Sequence, residues 1–251
     1  MKKSCAGSLS ALALFALTGA AWANPNAATG YFENFNASSI GWDGIQGSPN
    51  AATYRDTESD GNGYMRSVVK TSALPASFDA SVFSSQPSLA GNYGGYDWTV
   101  SADLKLIQGN FDNVWLRFRY QDPSFNGWTN QLTSNFAQSG WFGVSETFNA
   151  LWTDAEARTH GWRPDDEVLG GSAPMSWAQT MSNVYTVELR FSGSGTPIAP
   201  HGNFIQAGVD NFSLTAVQQA APIPEPETYA MMLAGLGLLG LVRRRKQKLP
   251  A

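Results

Sequence analysis

The sequence predicts an all-β fold, a two-sheet jelly-roll β-sandwich, and three observations support this prediction. Only 14% of the 251 residues are charged and 25 are glycines, a balance typical of strand-rich exported modules. Several segments alternate apolar and polar residues, which is the pattern of a strand with one buried face. Turn residues separate these segments. Because each apolar face needs a covering layer, about eight to ten such strands predict two packed sheets.

Four segments alternate most clearly, and they are Trp98 to Leu106, Val114 to Tyr120, Tyr185 to Phe191 and Phe212 to Ala216. Gly-rich and Asn-rich turns are predicted at 60–63, 91–95, 108–110 and 192–195. A single helical turn is predicted at 154–159. No segment has the 3.6-residue period of a long helix, so the sandwich is predicted to be nearly pure β.

The first 23 residues have the layout of a cleavable secretory signal peptide. Two lysines precede a short apolar run over 9–17, and Ala21 and Ala23 are the small residues that signal peptidase requires. We expect cleavage before Asn24. The single cysteine, Cys5, lies within this segment. The mature chain therefore is expected to fold in an oxidising compartment without a disulfide.

The C-terminal end combines a proline motif, a short apolar segment and a basic end. The apolar segment at 229–242 is shorter than the roughly 20 residues of a stable transmembrane helix. The basic end at 243–248 favours a cytoplasmic C-terminus. The prolines keep the preceding chain extended, and a membrane-embedded protease can cut such a peptide. A plain membrane anchor is the alternative. The residues of the motif and the basic end are Pro224, Glu225, Pro226, Arg243, Arg244 and Arg245.

This order of features resembles the PEP-CTERM sorting domain. The resemblance implies an exopolysaccharide-producing Gram-negative bacterium and transient anchoring in the inner membrane. It also implies that an exosortase cleaves near the motif and that the product reaches the outer surface or the extracellular matrix of a biofilm. The predicted division is a signal peptide at 1–23, an ectodomain at 24–217, a spacer at 218–223 and a sorting segment at 224–248.

The ectodomain is acidic. Residues 24–222 contain nine basic and eighteen acidic side chains, a net charge of −9. Such a charge argues against nucleic acid or an anionic polysaccharide as the partner and suits a neutral ligand or divalent cations.

Several short pieces of the ectodomain resemble the laminin B domain, a jelly roll similar to carbohydrate-binding modules. These pieces lie at 32–35, 41–42, 60–65, 93–95, 100–104, 140–141 and 208–214. The resemblance implies a structural or adhesive matrix module without catalysis, with exopolysaccharide or other matrix proteins as partners.

Two tryptophans are candidates for glycan binding. Trp115 is out of phase with the apolar residues of its segment, and Trp128 lies in a polar stretch with Asn126 and Asn130. Together they are predicted to form a stacking platform for a sugar ring, with the amides as hydrogen-bonding groups. Packing of the rings under a long loop is the alternative.

A structural calcium ion is the one cofactor that the sequence suggests. Glu33 on the first strand and Asp210 on the last strand are predicted to hold it where those strands meet, as in similar jelly-roll modules. The acidic run at 56–61 partly imitates an EF-hand loop, but Ser67 stands where calcium needs a bidentate glutamate. We interpret that run as an acidic turn.

Catalysis is not predicted. The two histidines have no metal-ligand spacing, and no nucleophile motif is present. Glu146 and the carboxylates at 165–167 could in principle form a glycosidase pair, which needs two carboxyls across a cleft. The sequence therefore predicts a structural, adhesive or neutral-glycan-binding surface protein. A glycan-active hydrolase on the same scaffold is the alternative, and a domain without a specific ligand is a third hypothesis.

Overall fold

A computed structural model of the protein describes residues 30–44, 51–70, 77–120, 126–168, 175–194 and 204–218. The predicted signal peptide and the predicted sorting segment lie outside these residues. Within them, no helix is long and apolar enough to cross a membrane.

Twelve strands are described, and in chain order they are β1 (Tyr31–Glu33), β2 (Trp42–Asp43), β3 (Ala51–Thr57), β4 (Gly63–Lys70), β5 (Ser77–Ser84), β6 (Tyr96–Gln108), β7 (Phe111–Tyr120), β8 (Gly127–Phe136), β9 (Phe142–Asn149), β10 (Arg163–Pro164), β11 (Val184–Ser194) and β12 (Phe204–Gln218). The helices of the described chain are short, namely α1 (Asp154–Thr159), α2 (Asp165–Val168) and α3 (Trp177–Ser182).

The strands form two antiparallel sheets. Sheet A has the order β3-β4-β12-β6-β9, and β1 also pairs with β12. Sheet B has the order β10-β8-β7-β11-β5-β2. The predicted all-β jelly-roll sandwich is therefore confirmed for the ectodomain.

The core fills the space between the two sheets. Along β6 the residues Trp98, Val100, Ala102 and Leu104 are buried, and the residues between them are partly exposed. The inner faces of β7, β11 and β12 repeat this alternation. Large rings supply much of the packed volume, as expected because the described residues contain no cysteine. The fully buried rings include Trp98, Trp128, Trp162, Trp177, Tyr93, Phe118 and Phe148.

The local predictions are confirmed except at one turn. The four alternating segments lie in β6, β7, β11 and β12, and α1 occupies the predicted helical turn. The turn predicted at 192–195 is wrong over 192–194, because β11 continues to Ser194 and pairs with Ser77 of β5. The helix α3 was not predicted. It begins with a capping box between Ser176 and Gln179, which stabilises a helix too short to show periodicity.

Candidate functional site

The outer face of sheet B carries a group of polar side chains around one partly exposed tryptophan, Trp115. On β7, Val114 and Leu116 point into the core, while Trp115 and Arg117 point outward. This is the orientation that the sequence predicts for Trp115. The neighbouring strands place their own polar residues beside it, because antiparallel partners in register share a face.

The register defines two rows across this outer face. In the first row, Trp115 lies between Arg190 of β11 and Gln131 of β8. In the second row, Arg117 lies between Glu188 and Thr129. The first row is at least partly exposed, whereas all three residues of the second row are buried. The first row is thus the part that a ligand can reach.

Hydrogen bonds fix the side chains of the first row. The indole N–H of Trp115 donates to Ser192 Oγ at 2.9 Å. Arg190 donates to both carboxylate oxygens of Asp79, at 3.1 and 2.6 Å. Gln131 Nε2 donates to Asn113 Oδ1 at 2.9 Å. We call the set Trp115, Arg190, Gln131, Asn113 and Asp79 the Trp115 platform.

The second row contains a buried ionic network beside the platform. Arg117 Nε donates to Asp165 Oδ2 at 2.8 Å, and its Nη1 donates to Glu188 Oε2 at 3.2 Å. Arg119 Nη1 lies 3.9 Å from the same oxygen of Glu188. Burial raises the pKa of Asp165, and the positive charge of Arg117 opposes that rise. The network ties α2 to the outer face of sheet B.

Trp128 does not belong to the platform. It pairs in register with the buried Phe118, which places its ring on the inner face of sheet B. The ring is 1% exposed, and its indole N–H donates to the carbonyl of Met175 at 2.7 Å. The structure therefore contradicts the prediction of one platform formed by both tryptophans and places Trp128 in the core.

The two asparagines are also away from the platform. Asn130 points to the inner face, where its Nδ2 donates to the carbonyl of His160 at 3.3 Å. Asn126 is buried just before β8, and its carbonyl accepts from Tyr120 N at 2.8 Å. Both asparagines thus have structural roles at the end of the sandwich.

The predicted calcium ligands engage different partners. Glu33 Oε1 accepts from the backbone N–H of Phe35 at 2.9 Å. Asp210 accepts from Asn62 Nδ2 at 2.8 Å and from the N–H of Asn211 at 2.7 Å. Over the described ranges, no three His, Cys, Asp or Glu side chains are grouped so that they could hold a metal ion. The calcium site stays a prediction.

The carboxylates that could form a glycosidase pair have different partners and lie in different elements. Asp165 is held by Arg117, and Glu167 is exposed and paired with Arg158. Glu146 lies in β9 of sheet A, opposite Val100 of β6. The carboxylates at 165–167 therefore lie in α2, which the Arg117 network ties to sheet B, whereas Glu146 lies in sheet A.

Sequence reasoning missed the polar partners of Trp115. The alternation of β11 already places Arg190 on the polar face, together with Glu188. What it does not specify is the register that sets Arg190 opposite Trp115 and Gln131 beside it. A single sequence carries no direct signal for that register, because Arg190 and Trp115 are distant along the chain.

A search of curated proteins gives no match to the chain. Among solved structures, the fold is similar to the family 11 carbohydrate-binding module from Clostridium thermocellum in complex with a β-1,3-1,4-mixed-linked tetrasaccharide. The identity is 12%, the match covers 76% of this chain and 98% of that one, and the TM-score is 0.46. The CBM22-1 xylan-binding domain from Paenibacillus barcinonensis has 10% identity, coverage of 76% and 95%, and a TM-score of 0.42.

A longer structure, the CBM22-1 and GH10 modules of a Clostridium thermocellum xylanase, is matched over 28% of its length and 74% of this chain, at 12% identity and a TM-score of 0.42. This chain thus spans about a quarter of that enzyme. At sequence identities of 10% and 12%, these similarities are similarities of fold alone.

The C-terminal end matches a family model. Residues 222–246 match the PEP-CTERM protein-sorting motif, which confirms the interpretation of Pro224, Glu225, Pro226 and the arginines at 243–245. These residues lie outside the described structure. The chain therefore carries a PEP-CTERM sorting motif, which implies export and processing by an exosortase.

Proposed function

We propose that the exported domain binds a neutral glycan on the Trp115 platform. The observation that carries this proposal is the placement of Trp115, a partly exposed ring in the middle of an otherwise polar row, with its indole N–H fixed to Ser192. An aromatic ring flanked by planar amide and guanidinium groups suits a sugar, which has an apolar face for stacking and hydroxyls for hydrogen bonds.

The charge of the platform favours a neutral sugar. Arg190 is its one cation, and Asp79 binds that guanidinium through both carboxylate oxygens. The side chains of Gln131 and Asn113 are uncharged. Since the whole ectodomain has a net charge of −9, an acidic polysaccharide would be repelled as it approached.

The buried network supports binding rather than catalysis. A general acid or nucleophile must reach the scissile bond, but Asp165 and Glu188 are each about 1% exposed. Their role is to hold Arg117 in the row beside the platform. A glycan-active hydrolase built on Glu146 remains the alternative function, and loss of turnover in Glu146→Gln would support it.

We further propose where the domain works. The PEP-CTERM motif supports a route in which signal peptidase removes residues 1–23 and the apolar segment at 229–242 anchors the chain transiently in the inner membrane. Exosortase then releases the domain to the outer surface or matrix of a Gram-negative bacterium, where exopolysaccharide and other matrix proteins are its partners.

The glycan proposal is tested by binding measurements on the processed protein. Soluble neutral polysaccharides and the host's own exopolysaccharide are titrated against wild type, Trp115→Ala and Trp141→Ala. Trp141 is the matched control, because it is also partly exposed but contacts Glu58, which belongs to the β3–β4 hairpin of sheet A. We expect Trp115→Ala to weaken binding by roughly tenfold or more and Trp141→Ala to leave the affinity unchanged.

Equal binding by wild type and Trp115→Ala would overturn the proposal for this face. Circular dichroism of each variant separates a lost ligand contact from a lost fold. Sorting is tested separately, by fractionating host cells with and without the exosortase. A protein that stays at full length in the inner membrane of wild-type cells contradicts the proposed route.

A further inference from the structure

Asp79 and Arg190 form a fixed ion pair at one end of the Trp115 platform. Arg190 Nε donates to Asp79 Oδ1 at 3.1 Å, and its Nη2 donates to Asp79 Oδ2 at 2.6 Å. The strands that carry the two residues, β5 and β11, are antiparallel neighbours in sheet B. Because two parallel hydrogen bonds join the planar groups, the guanidinium and the carboxylate lie side by side in a defined orientation.

The strand register places this pair next to the ring of Trp115. Arg190 lies directly opposite Trp115, and Asp79 lies directly opposite Ser192. The indole N–H of Trp115 donates to Ser192 Oγ, so the indole reaches the same serine that faces Asp79. The aromatic ring and the ion pair therefore belong to one continuous part of the outer face.

Both partners of the ion pair can also contact a ligand. A guanidinium has five N–H groups, and the ion pair itself uses two of them. A carboxylate has about four acceptor positions, and the side chain of Asp79 is 42% exposed. A ligand that approaches from solvent can therefore accept a hydrogen bond from Arg190 while it donates one to Asp79.

We propose that the Asp79–Arg190 pair recognises a vicinal diol, that is, two hydroxyls on adjacent carbons of the sugar that stacks on Trp115. This inference rests on the proposed binding of a glycan at the platform. When the flat face of a pyranose lies on an aromatic ring, its equatorial hydroxyls project sideways from the rim. One hydroxyl then accepts from Arg190, and its neighbour donates to Asp79.

The charges of the pair select this kind of ligand. An anionic group is repelled by Asp79 and a cationic group by Arg190, whereas a diol is neutral and offers an acceptor and a donor together. The linkage of the glycan decides whether a diol is present. A hexose unit linked through its first and fourth carbons keeps two adjacent hydroxyls free, but a unit linked through its first and third carbons keeps none.

The test compares two β-glucan oligosaccharides of equal length, one 1,4-linked and one 1,3-linked, titrated calorimetrically into the processed protein. Both consist of the same sugar, so they differ in the diol of their internal units. We expect wild type to bind the 1,4-linked chain roughly tenfold more tightly. Asp79→Asn and Arg190→Lys should abolish this preference, the latter because lysine keeps the charge but lacks the planar fork.

Glu167→Gln is the matched control. The Glu167 side chain is also 42% exposed and also accepts two hydrogen bonds from one arginine, Arg158, but it lies in α2 outside the platform. This variant should bind both oligosaccharides as wild type does. Exposed ion pairs contribute little to stability, so we expect Asp79→Asn to fold, and circular dichroism checks this. Should it fail to fold, Arg190→Lys and the linkage preference of wild type decide.

The outcomes separate this inference from the proposed function. If Trp115→Ala weakens binding but wild type binds both linkages equally, or Asp79→Asn keeps the preference, the diol inference is overturned and the glycan platform stands. If Trp115→Ala binds as wild type does, both are overturned. A wild type that binds neither oligosaccharide refutes the inference, and titration with the host's own exopolysaccharide then tests the proposed function by itself.

Discussion

Trp115 and Trp128 lie on neighbouring strands of sheet B and point to opposite faces of it. One ring is partly exposed among polar side chains, and the other is buried against Trp177, with the ring centroids 5.5 Å apart in an edge-on arrangement. The two rings therefore have different environments, although the sequence predicts one site for both.

This arrangement predicts that removing the Trp128 ring lowers the free energy of unfolding far more than removing the Trp115 ring does. Trp128→Ala leaves a large cavity in the core and an unpaired carbonyl at Met175, so the free energy of unfolding should fall by about 3–5 kcal/mol. Trp115→Ala removes a partly exposed ring and should cost about 1 kcal/mol or less. Urea denaturation measures both values. Equal losses would contradict the placement of the rings on opposite faces.

The Arg117 network predicts a second contrast. Arg117→Ala leaves the buried carboxylate of Asp165 without its guanidinium partner and leaves Glu188 with only the more distant Arg119, which should lower the free energy of unfolding by about 3–5 kcal/mol. Replacing all three residues by apolar ones of similar size should recover much of the loss. The control is Arg158→Ala, whose ion pair with Glu167 is exposed and should contribute little.

The local structure of this protein follows from its sequence to a large extent. Alternation alone locates β6, β7, β11 and β12, and it assigns Trp115 and Arg190 to polar faces. These predictions succeed because a strand with one buried face has a period of two wherever it lies in the sheet.

The site itself does not follow from the sequence in the same way. The sequence places Trp128 in a polar stretch with Asn126 and Asn130, whereas in the structure Gly127 begins β8 in close contact with the backbone of Phe118. Asn130 is polar yet faces inward, since the end of the core contains its partner carbonyl at His160. Contacts of this kind depend on tertiary packing, which overrides local preference.

The lack of a side chain at Gly208 leaves room for the Trp141 ring. A Cβ at this position would lie 2.9 Å from the Trp141 ring and 3.2 Å from the Tyr64 ring. The glycine thus allows Trp141 to lie across the outer face of sheet A, where its N–H donates to Glu58 at 3.1 Å. We expect Gly208→Val to displace the indole, which a red-shifted tryptophan emission would report, while binding at the Trp115 platform is unchanged. An unaltered emission spectrum contradicts the close approach.

The calcium prediction has a direct test in thermal unfolding. Both oxygens of Asp210 already accept hydrogen bonds, from Asn62 and Asn211, so the fold does not require a metal ion to neutralise that carboxylate. We therefore expect the melting temperature to be the same with calcium and with a chelator. A clear fall in the presence of the chelator would instead support a bound ion at the junction of β1 and β12.

The pH dependence of stability follows from three carboxyls whose pKa values are raised by burial, Glu146, Asp165 and Asp210. A raised pKa means that the folded state binds the proton more tightly than the unfolded state does. The stability from these groups is therefore complete below the ordinary values of 4.5 for Glu and 3.8 for Asp, and it is lost as the pH rises through the raised values.

We accordingly expect the melting temperature to rise as the pH is lowered toward these ordinary values, and the double variant Glu146→Gln, Asp210→Asn to show a flatter curve over the same descent. Asp56 is the opposing control. The hydrogen bond from Arg66 lowers its pKa, so its contribution is present above pH 3.8 and is lost only as the pH falls further. Asp56→Asn should therefore lower the melting temperature by a constant amount above pH 4, without changing the slope there, and its difference from wild type should shrink as the pH falls further. A double variant as steep as wild type would show that these carboxyls do not titrate as their burial requires.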